Sequence, residues 1–179
     1  YKRQSLQPGV EQLLLAGAQD SARSYGIRKS HLDAFIGTAR GEGARQQLRQ
    51  WLASDSAAGL VLRAPTRWAM VTRLVASGSP DADSLLAAER QRDGTTEGAR
   101  LAFVAGAAAP DSAIKQQYFD RWFRDGTLNE EWVTSSLRAF HEGEQQQLTR
   151  RYLVPALDTL RWIPVSYTHL RAHETKANL

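Results

Sequence analysis

Apolar residues recur along most of this chain at spacings of three and four, which is the period of a helix with one buried face. The alternation of apolar and polar positions that marks strands is nearly absent. Turn residues break the pattern into short segments. It predicts helices over about residues 9–24, 30–39 and 44–53, a loop over 54–59, and further helices beginning near Pro65, Pro80, Glu97, Asp111, Thr127 and Glu144.

Cap residues support several of these boundaries. Gly26 and Gly78 stand where helix-ending glycines are common, and Ser79 followed by Pro80 is a typical helix start. Thr127 with Glu130 three residues later forms a capping-box pattern. In the last helix we expect Pro155 to cause a kink or a division. The residues expected to face inward there are Leu148, Tyr152, Leu153, Leu157 and Leu160.

Short connections make consecutive helices antiparallel neighbours. Helix pairs begin near Pro65, Thr95 and Thr127, a spacing of roughly 30 residues that is typical of stacked helical repeats. We therefore predict an all-α fold of antiparallel helix pairs in a HEAT/armadillo-like α-solenoid. Residues 1–163 form one helical-repeat domain in this interpretation, and we expect it to be a fragment of a longer protein. The aromatic stripe Tyr118, Phe119, Trp122 and Phe123 is interpreted as packing between helices.

The formal net charge of +4 raises the question of a nucleic-acid partner. Basic and acidic residues are interleaved, as in residues 89–93, and no run of five or more like charges occurs. No apolar run approaches the roughly 20 residues that span a bilayer. We therefore expect neither nucleic acid nor membrane as a partner. The absence of cysteine excludes disulfides and cysteine-based zinc sites, and leaves the compartment, cytoplasm or periplasm, open.

Catalytic motifs are missing from the sequence: it contains no GxSxG, no Walker loop, no GxGxxG after a strand and no HExxH. His31 lies beside Ser30 and near Asp33, which is proximity rather than a triad. His141 follows a predicted helix, where the helix dipole favours a cationic imidazole. We predict no catalytic, cofactor-binding or metal-binding residue, so the chain alone should be inactive and needs no cofactor.

Five arginines form the candidate binding set. On a curved helical array they could line a concave surface and contact an anionic group such as a peptide carboxylate. Ordinary ion pairing or solvation is the alternative for each of them. The five residues are Arg63, Arg67, Arg73, Arg90 and Arg92.

We interpret the last residues of the chain as non-native. Residues 165–175, VSYTHLRAHET, match the in-frame translation of a widely used transposon sequencing adapter. We therefore predict that residues 164–179 are an adapter-derived tail and not native. His169 and His173 have a spacing that occurs in metal sites, but we do not assign them to one.

Four sequence motifs occur in a characteristic order: TRWAMVTRLVASG (66–78), LLAAERQRDGTTEGAR (85–100), an alanine-rich run ending at Pro110 with Lys115 after it, and LTRRYLVPALDTL (148–160). This ordered set resembles the C-terminal helical domain of the aminopeptidase N family of zinc metallopeptidases, in the branch like the endoplasmic-reticulum aminopeptidases. The resemblance covers a little over half of the chain and rests mainly on packing residues.

The resemblance implies a bacterial parent enzyme that removes N-terminal residues from peptides, with one zinc held by HExxH and a distal glutamate in a separate upstream catalytic domain. None of those residues occurs here. The implied role is that of a non-catalytic domain that encloses the active site and limits or contacts the peptide substrate. Its partners would be the upstream catalytic domain of the same polypeptide and the peptide. The alternative is a free-standing α-helical repeat scaffold that binds peptides or proteins.

Overall fold

A computed structural model describes residues 2–124 and 128–160 of the chain. These residues are mainly helical, as the sequence predicts. The helices are α1 (Lys2–Gln19), α2 (Tyr25–Thr38), α3 (Glu42–Ser54), α4 (Ala64–Ala76), α5 (Ala82–Arg92), α6 (Thr96–Ala107), α7 (Ser112–Arg124), α8 (Glu130–Phe140), α9 (Gln146–Thr149) and α10 (Leu153–Leu160), with a 3₁₀ turn (Arg150–Tyr152) between the last two.

The predicted loop at 54–59 contains a small hairpin. Strands β1 (Ser56–Ala57) and β2 (Leu60–Val61) pair antiparallel. Ala58 and Gly59 form the turn and both have positive φ, of 51° and 73°. Two successive residues with positive φ give the tight turn that matches strand twist, so a hairpin closes even with strands of this length.

Several helix boundaries differ from the predicted ones. Helix α1 runs through Pro8 instead of beginning after it, and α2 begins at Tyr25, which places Gly26 in its first turn. Proline lacks a backbone donor and weakens a helix interior, and α1 packs extensively against α2. Helix α5 begins at Ala82 and not at Pro80. Gly78 ends α4 with a φ of 65°, as expected for a helix-ending glycine.

The start of α8 is capped by a residue that the pattern did not indicate. Asn129 accepts a hydrogen bond from the backbone N–H of Trp132 at 3.0 Å. Thr127, the predicted cap, lies outside the described residues. An asparagine side chain accepts from the unpaired backbone N–H groups at a helix start as a threonine side chain would, so the helix starts close to the predicted position.

The last helix is divided, but the break lies at Arg150–Tyr152, just before Pro155. In a continuous helix the proline ring would clash with the carbonyl of Arg151, which accounts for the position of the break. The expectation that Leu153 and Leu157 face inward is wrong, because they are 62% and 54% exposed. The 3₁₀ turn interrupts the helical register, so the periodicity cannot be extended across it. Tyr152 is buried, and the side chain of Leu160 lies outside the described residues.

Four helices form a layer: α2 contacts α4, α4 contacts α6 and α6 contacts α8. We call α2, α4, α6 and α8 the even-helix layer. Helices α3, α5 and α7 connect them along the chain; α3 packs against α4, α5 against α4 and α6, and α7 against α6, while α1 packs against α2. The main core lies between the two sets. Its fully buried large apolar side chains are Leu32, Phe35, Leu48, Trp68, Met70, Val71 and Leu74.

Buried side chains join the carboxyl ends of the even-helix layer. Arg73 donates to the carbonyl of Ala39, just after α2, at 2.7 Å. Gln145 donates to the carbonyls of Ala76 and Ala108, at the ends of α4 and α6. These bridges require the ends of α2, α4 and α6 to lie on one side, so the helices run parallel. Within residues 2–124 and 128–160, no helix is long and apolar enough to cross a membrane.

Candidate functional site

Arg67 is buried between α3, α4 and α5. Its Nε and Nη2 atoms contact the carboxylate of Glu89 at 2.7–3.0 Å. Its Nη1 donates to Asp55 Oδ1 at 2.8 Å and to the carbonyl of Leu52 at 3.0 Å. Hydrogen bonding to Glu89 raises the pKa of Arg67 above its ordinary value. The guanidinium therefore cross-links three helices.

Arg73 is buried near the carboxyl end of α4, where it reaches Glu142 at 3.3 Å as well as the carbonyl of Ala39. Burial lowers the pKa of Arg73. The other candidate arginines lie at the surface: Arg92 pairs with Asp55 at 2.8 Å, and Arg63 and Arg90 are exposed. The structure thus brings Arg67 and Arg92 together at one carboxylate and gives Arg67 and Arg73 partners within the chain.

The two described histidines lie in packing and capping positions. His31 contacts the carbonyl of Ile27 at 3.0 Å, and its ring fills the space over Gly17, where a Cβ would come within 1.9 Å of His31 Cδ2. His141 caps α8 and contacts Thr149 Oγ1 at 3.2 Å. The expected cationic imidazole is not supported, because burial and then the charge of Lys115 lower the pKa of His141. His169 and His173 lie outside the described residues.

Lys115 on α7 is fully buried. Its Nζ donates to the carbonyls of Ala107 and Phe140, both at 2.7 Å, and lies 4.6 Å from the centroid of the Phe140 ring. It thus joins the carboxyl ends of α6 and α8. Burial lowers the pKa of Lys115 to about 8. The sequence offered a signal for this, since residues 115, 118, 119 and 122 share the spacing of one helix face.

A groove of about 380 Å³ opens on the even-helix layer between α2, α4 and α6. Ile36, Trp68, Leu101 and Val104 contribute its apolar surface, and Ile36 and Trp68 belong to the core beneath. Charged residues line it as well, namely Asp33, Arg73 and Glu142. Sequence reasoning missed this groove because its walls come from three helices that are distant in the chain.

A larger cleft of about 1040 Å³ lies between α1 and α9. Its wall includes Glu11, whose Oε1 accepts from the backbone N–H groups of Arg40 and Gly41 at 2.7 and 3.0 Å. Arg40 and Glu144 form an ion pair of 2.9 Å at the same place. Gln145 also lines the cleft, and its Oε1 is buried without a hydrogen-bond partner among the described residues.

The described ranges, 2–124 and 128–160, contain no group of three or more histidine, aspartate or glutamate side chains arranged to hold a metal ion. The groove and the cleft are two surfaces of the described residues that could contact a ligand. The groove can accept an apolar side chain, and the cleft offers paired charges and amides.

Comparison with known proteins gives one informative similarity. No protein-family model matches the chain. The chain is 29% identical over 147 residues to the Aminopeptidase N of Streptomyces lividans. The aligned region covers 82% of this chain and 17% of that protein, so the chain spans less than a fifth of the relative's length. It therefore contains a region similar to part of an aminopeptidase N.

Proposed function

We propose that this chain is a non-catalytic, C-terminal helical section of a zinc aminopeptidase, which encloses the active site and limits or contacts the peptide substrate. The similarity to Aminopeptidase N over 82% of the chain carries this proposal. The parallel even-helix layer supports it, because stacked helix pairs with one helix of each pair in a common layer are the architecture of a HEAT/armadillo-like α-solenoid. Such arrays offer an extended surface to peptides.

The zinc belongs, in this proposal, to an upstream catalytic domain of the same polypeptide. When bound there, zinc would polarise the scissile carbonyl and activate water. The described helices contribute a wall and contacts to peptide. The five arginines stay candidates for such contacts, with Arg63, Arg90 and Arg92 the exposed members. The free-standing repeat scaffold is the second candidate, favoured by a core that the described helices close among themselves, with Trp68 and Leu74 fully buried.

The decisive experiment is to read the genomic locus upstream of this segment and then to express the complete reading frame. We expect HExxH and a distal glutamate upstream, and zinc-dependent release of N-terminal residues by the full protein. The 179-residue chain alone should neither bind zinc stoichiometrically nor cleave aminoacyl reporters. A reading frame without a peptidase domain would favour the scaffold, and metal-dependent cleavage by the chain alone would contradict both proposals.

A further inference from the structure

The cleft between α1 and α9 has a buried carboxylate in its wall. Glu11 is 7% exposed, and its Oε1 accepts hydrogen bonds from the backbone N–H groups of Arg40 and Gly41 and from Nε2 of Gln7. Its Oε2 accepts none of these and lies against Gly41, where a Cβ would come within 2.7 Å of it. Burial raises the pKa of Glu11, but the hydrogen bonds and then the charge of Arg73 bring it below its ordinary value. The carboxylate is therefore charged at neutral pH.

Glu11 has hydrogen bonds but no ion pair among the side chains that the structure describes. The two arginines of this region pair with other carboxylates. Arg40 pairs with Glu144 at 2.9 Å. Arg73 pairs with Glu142 at 3.3 Å. Because a buried charge interacts more strongly than one in water, a cation that enters the cleft gains more from Glu11 than from an exposed carboxylate.

Two glutamines of the cleft wall have no amide hydrogen left to donate. Nε2 of Gln7 donates to Glu11 and to the carbonyl of Thr38, and Nε2 of Gln145 donates to the carbonyls at the ends of α4 and α6. Only the amide oxygens keep hydrogen-bonding capacity, and Gln145 Oε1 is buried without a partner among the described residues. A positively charged group with several N–H donors is the complement of this wall.

Another part of the wall is apolar and accessible. Leu6 and Val10 lie four residues apart on α1 and are 68% and 42% exposed. Pro110 and Leu148 line the cleft as well. The volume of about 1040 Å³ lies at the upper end of ligand pockets, so a chain of several methylene groups has room beside Leu6 and Val10.

We propose that this cleft binds a primary ammonium group carried on an unbranched methylene chain. The ammonium contacts Glu11 Oε2, and the methylene groups pack on Leu6 and Val10. A free polyamine and the side chain of a lysine in a peptide share this chemistry. The inference goes beyond the proposed function, because it depends on residues of this chain and not on a catalytic domain.

The test is a titration of the whole isotope-labelled chain with n-pentylamine, followed by the NMR signals of the backbone N–H groups of Arg40 and Gly41. These groups contact Glu11, so we expect their signals to shift saturably. Pentanoate, which has a similar chain and the opposite charge, should not shift them. Methylamine should bind about tenfold more weakly, since it buries fewer methylene groups.

Two pairs of substitutions locate the ammonium. Glu11→Gln removes the charge at nearly constant size and should weaken binding of pentylamine about tenfold or more. Glu97→Gln, whose carboxylate lies on α6 outside the cleft wall, should leave it unchanged. Gly41→Ala places a Cβ against Oε2 and should also weaken binding, whereas a Cβ at Gly43 meets nothing within 4 Å, so Gly43→Ala is its matched control. The glycine pair decides the question if Glu11→Gln fails to fold.

The source of the ammonium is decided by comparing spermidine with a blocked tripeptide that contains one lysine. Tighter binding of spermidine would assign the cleft to free polyamines, and tighter binding of the tripeptide would assign it to a lysine side chain. Equal shifts with pentylamine and pentanoate, or equal binding of pentylamine by wild type and Glu11→Gln, would overturn the inference, as would the absence of any shift with the amines. The proposed function is judged separately by the upstream reading frame and its zinc-dependent activity.

Discussion

Arg67 and Lys115 are both buried cations, and the fold compensates their charges differently. Arg67 on α4 faces two carboxylates, Glu89 at 2.7 Å and Asp55 at 2.8 Å. Lys115 on α7 has only neutral partners among the contacts that the structure gives it, namely two helix-terminal carbonyls and the ring of Phe140. Both cations cross-link helices, but only the arginine meets an opposite charge.

The difference in partners shifts the pKa values of the two residues in opposite directions. A carboxylate partner raises the pKa of Arg67, whereas burial lowers the pKa of Lys115 to about 8. Carbonyl groups accept hydrogen bonds without repaying the full cost of removing a charge from water. A neutral amine has two N–H donors, which is the number of carbonyls that Lys115 contacts. The junction of α6 and α8 therefore tolerates a neutral lysine, and the junction around Arg67 depends on a pair of charges.

The largest expected effect comes from removing the partner of Arg67. Glu89→Gln should lower the free energy of unfolding by about 3 kcal/mol, because a buried guanidinium left without its main counter-charge is strongly destabilising. Asp55 and the carbonyl of Leu52 still contact the guanidinium in this variant, so the loss should lie at the lower end of the range usual for a broken buried ion pair. Urea denaturation followed by circular dichroism measures it.

The control for that variant is Glu97→Gln, which removes an exposed carboxylate paired with Arg100. Its effect should be much smaller, because surface ion pairs contribute little. Similar losses for the two variants would mean that burial of the Arg67 pair does not determine its contribution.

The second effect concerns Lys115 and pH. Its folded-state pKa of about 8 lies below the ordinary value of 10.5, so the folded protein binds fewer protons between these values and becomes more stable as pH rises through them. From about pH 7.5 to 9.5 the gain should be on the order of 2 kcal/mol. Burial raises the pKa of Tyr118 to about 12, which opposes the trend only at higher pH. Urea unfolding at both pH values provides the measurement.

Lys115→Met should abolish that rise, since the variant has no titrating group at the junction. Lys29→Met, which removes a surface lysine paired with Asp33, should keep it. A wild-type protein whose stability is flat or falls over this interval would show that Lys115 stays charged and that the comparison with Arg67 is wrong.

The smallest effect is expected at Asp55, which joins Arg67 to Arg92. Hydrogen bonding to Arg92, then to Arg67, lowers the pKa of Asp55 below its ordinary 3.8. The stabilisation is therefore present above that value and is lost as pH falls through the lower folded-state pKa. Asp55→Asn should lower the melting temperature at neutral pH by less than Glu89→Gln does. The difference in melting temperature between wild type and Asp55→Asn should become smaller in acid. A difference that grows there would contradict the role given to the Asp55 carboxylate.

In α4 the sequence predicts the helix but not the burial of its two arginines, Arg67 and Arg73. The sequence predicts the helix that begins near Pro65 from local periodicity, and in α4 the residues Trp68, Val71 and Leu74 have the spacing of one helix face. The same spacing could not show that Arg67 and Arg73 are buried within that helix. Their partners, Glu89 and the carbonyl of Ala39, lie far away in the sequence. The exposure of Leu153 was missed for a related reason, because one 3₁₀ turn changes which side of a helix faces the core.

Helical periodicity, caps and breakers are local properties of the chain, so they are enough to predict that this protein is built of short helices with apolar faces. The packed structure is needed to show that α2, α4, α6 and α8 lie parallel in one layer, that Lys115 joins the ends of two of them, and that Gly37 and Trp68 line one groove. Those outcomes depend on contacts between residues that are distant in the chain. The burial that lowers the pKa of Lys115 and the space that forms the groove both arise only when the helices pack together.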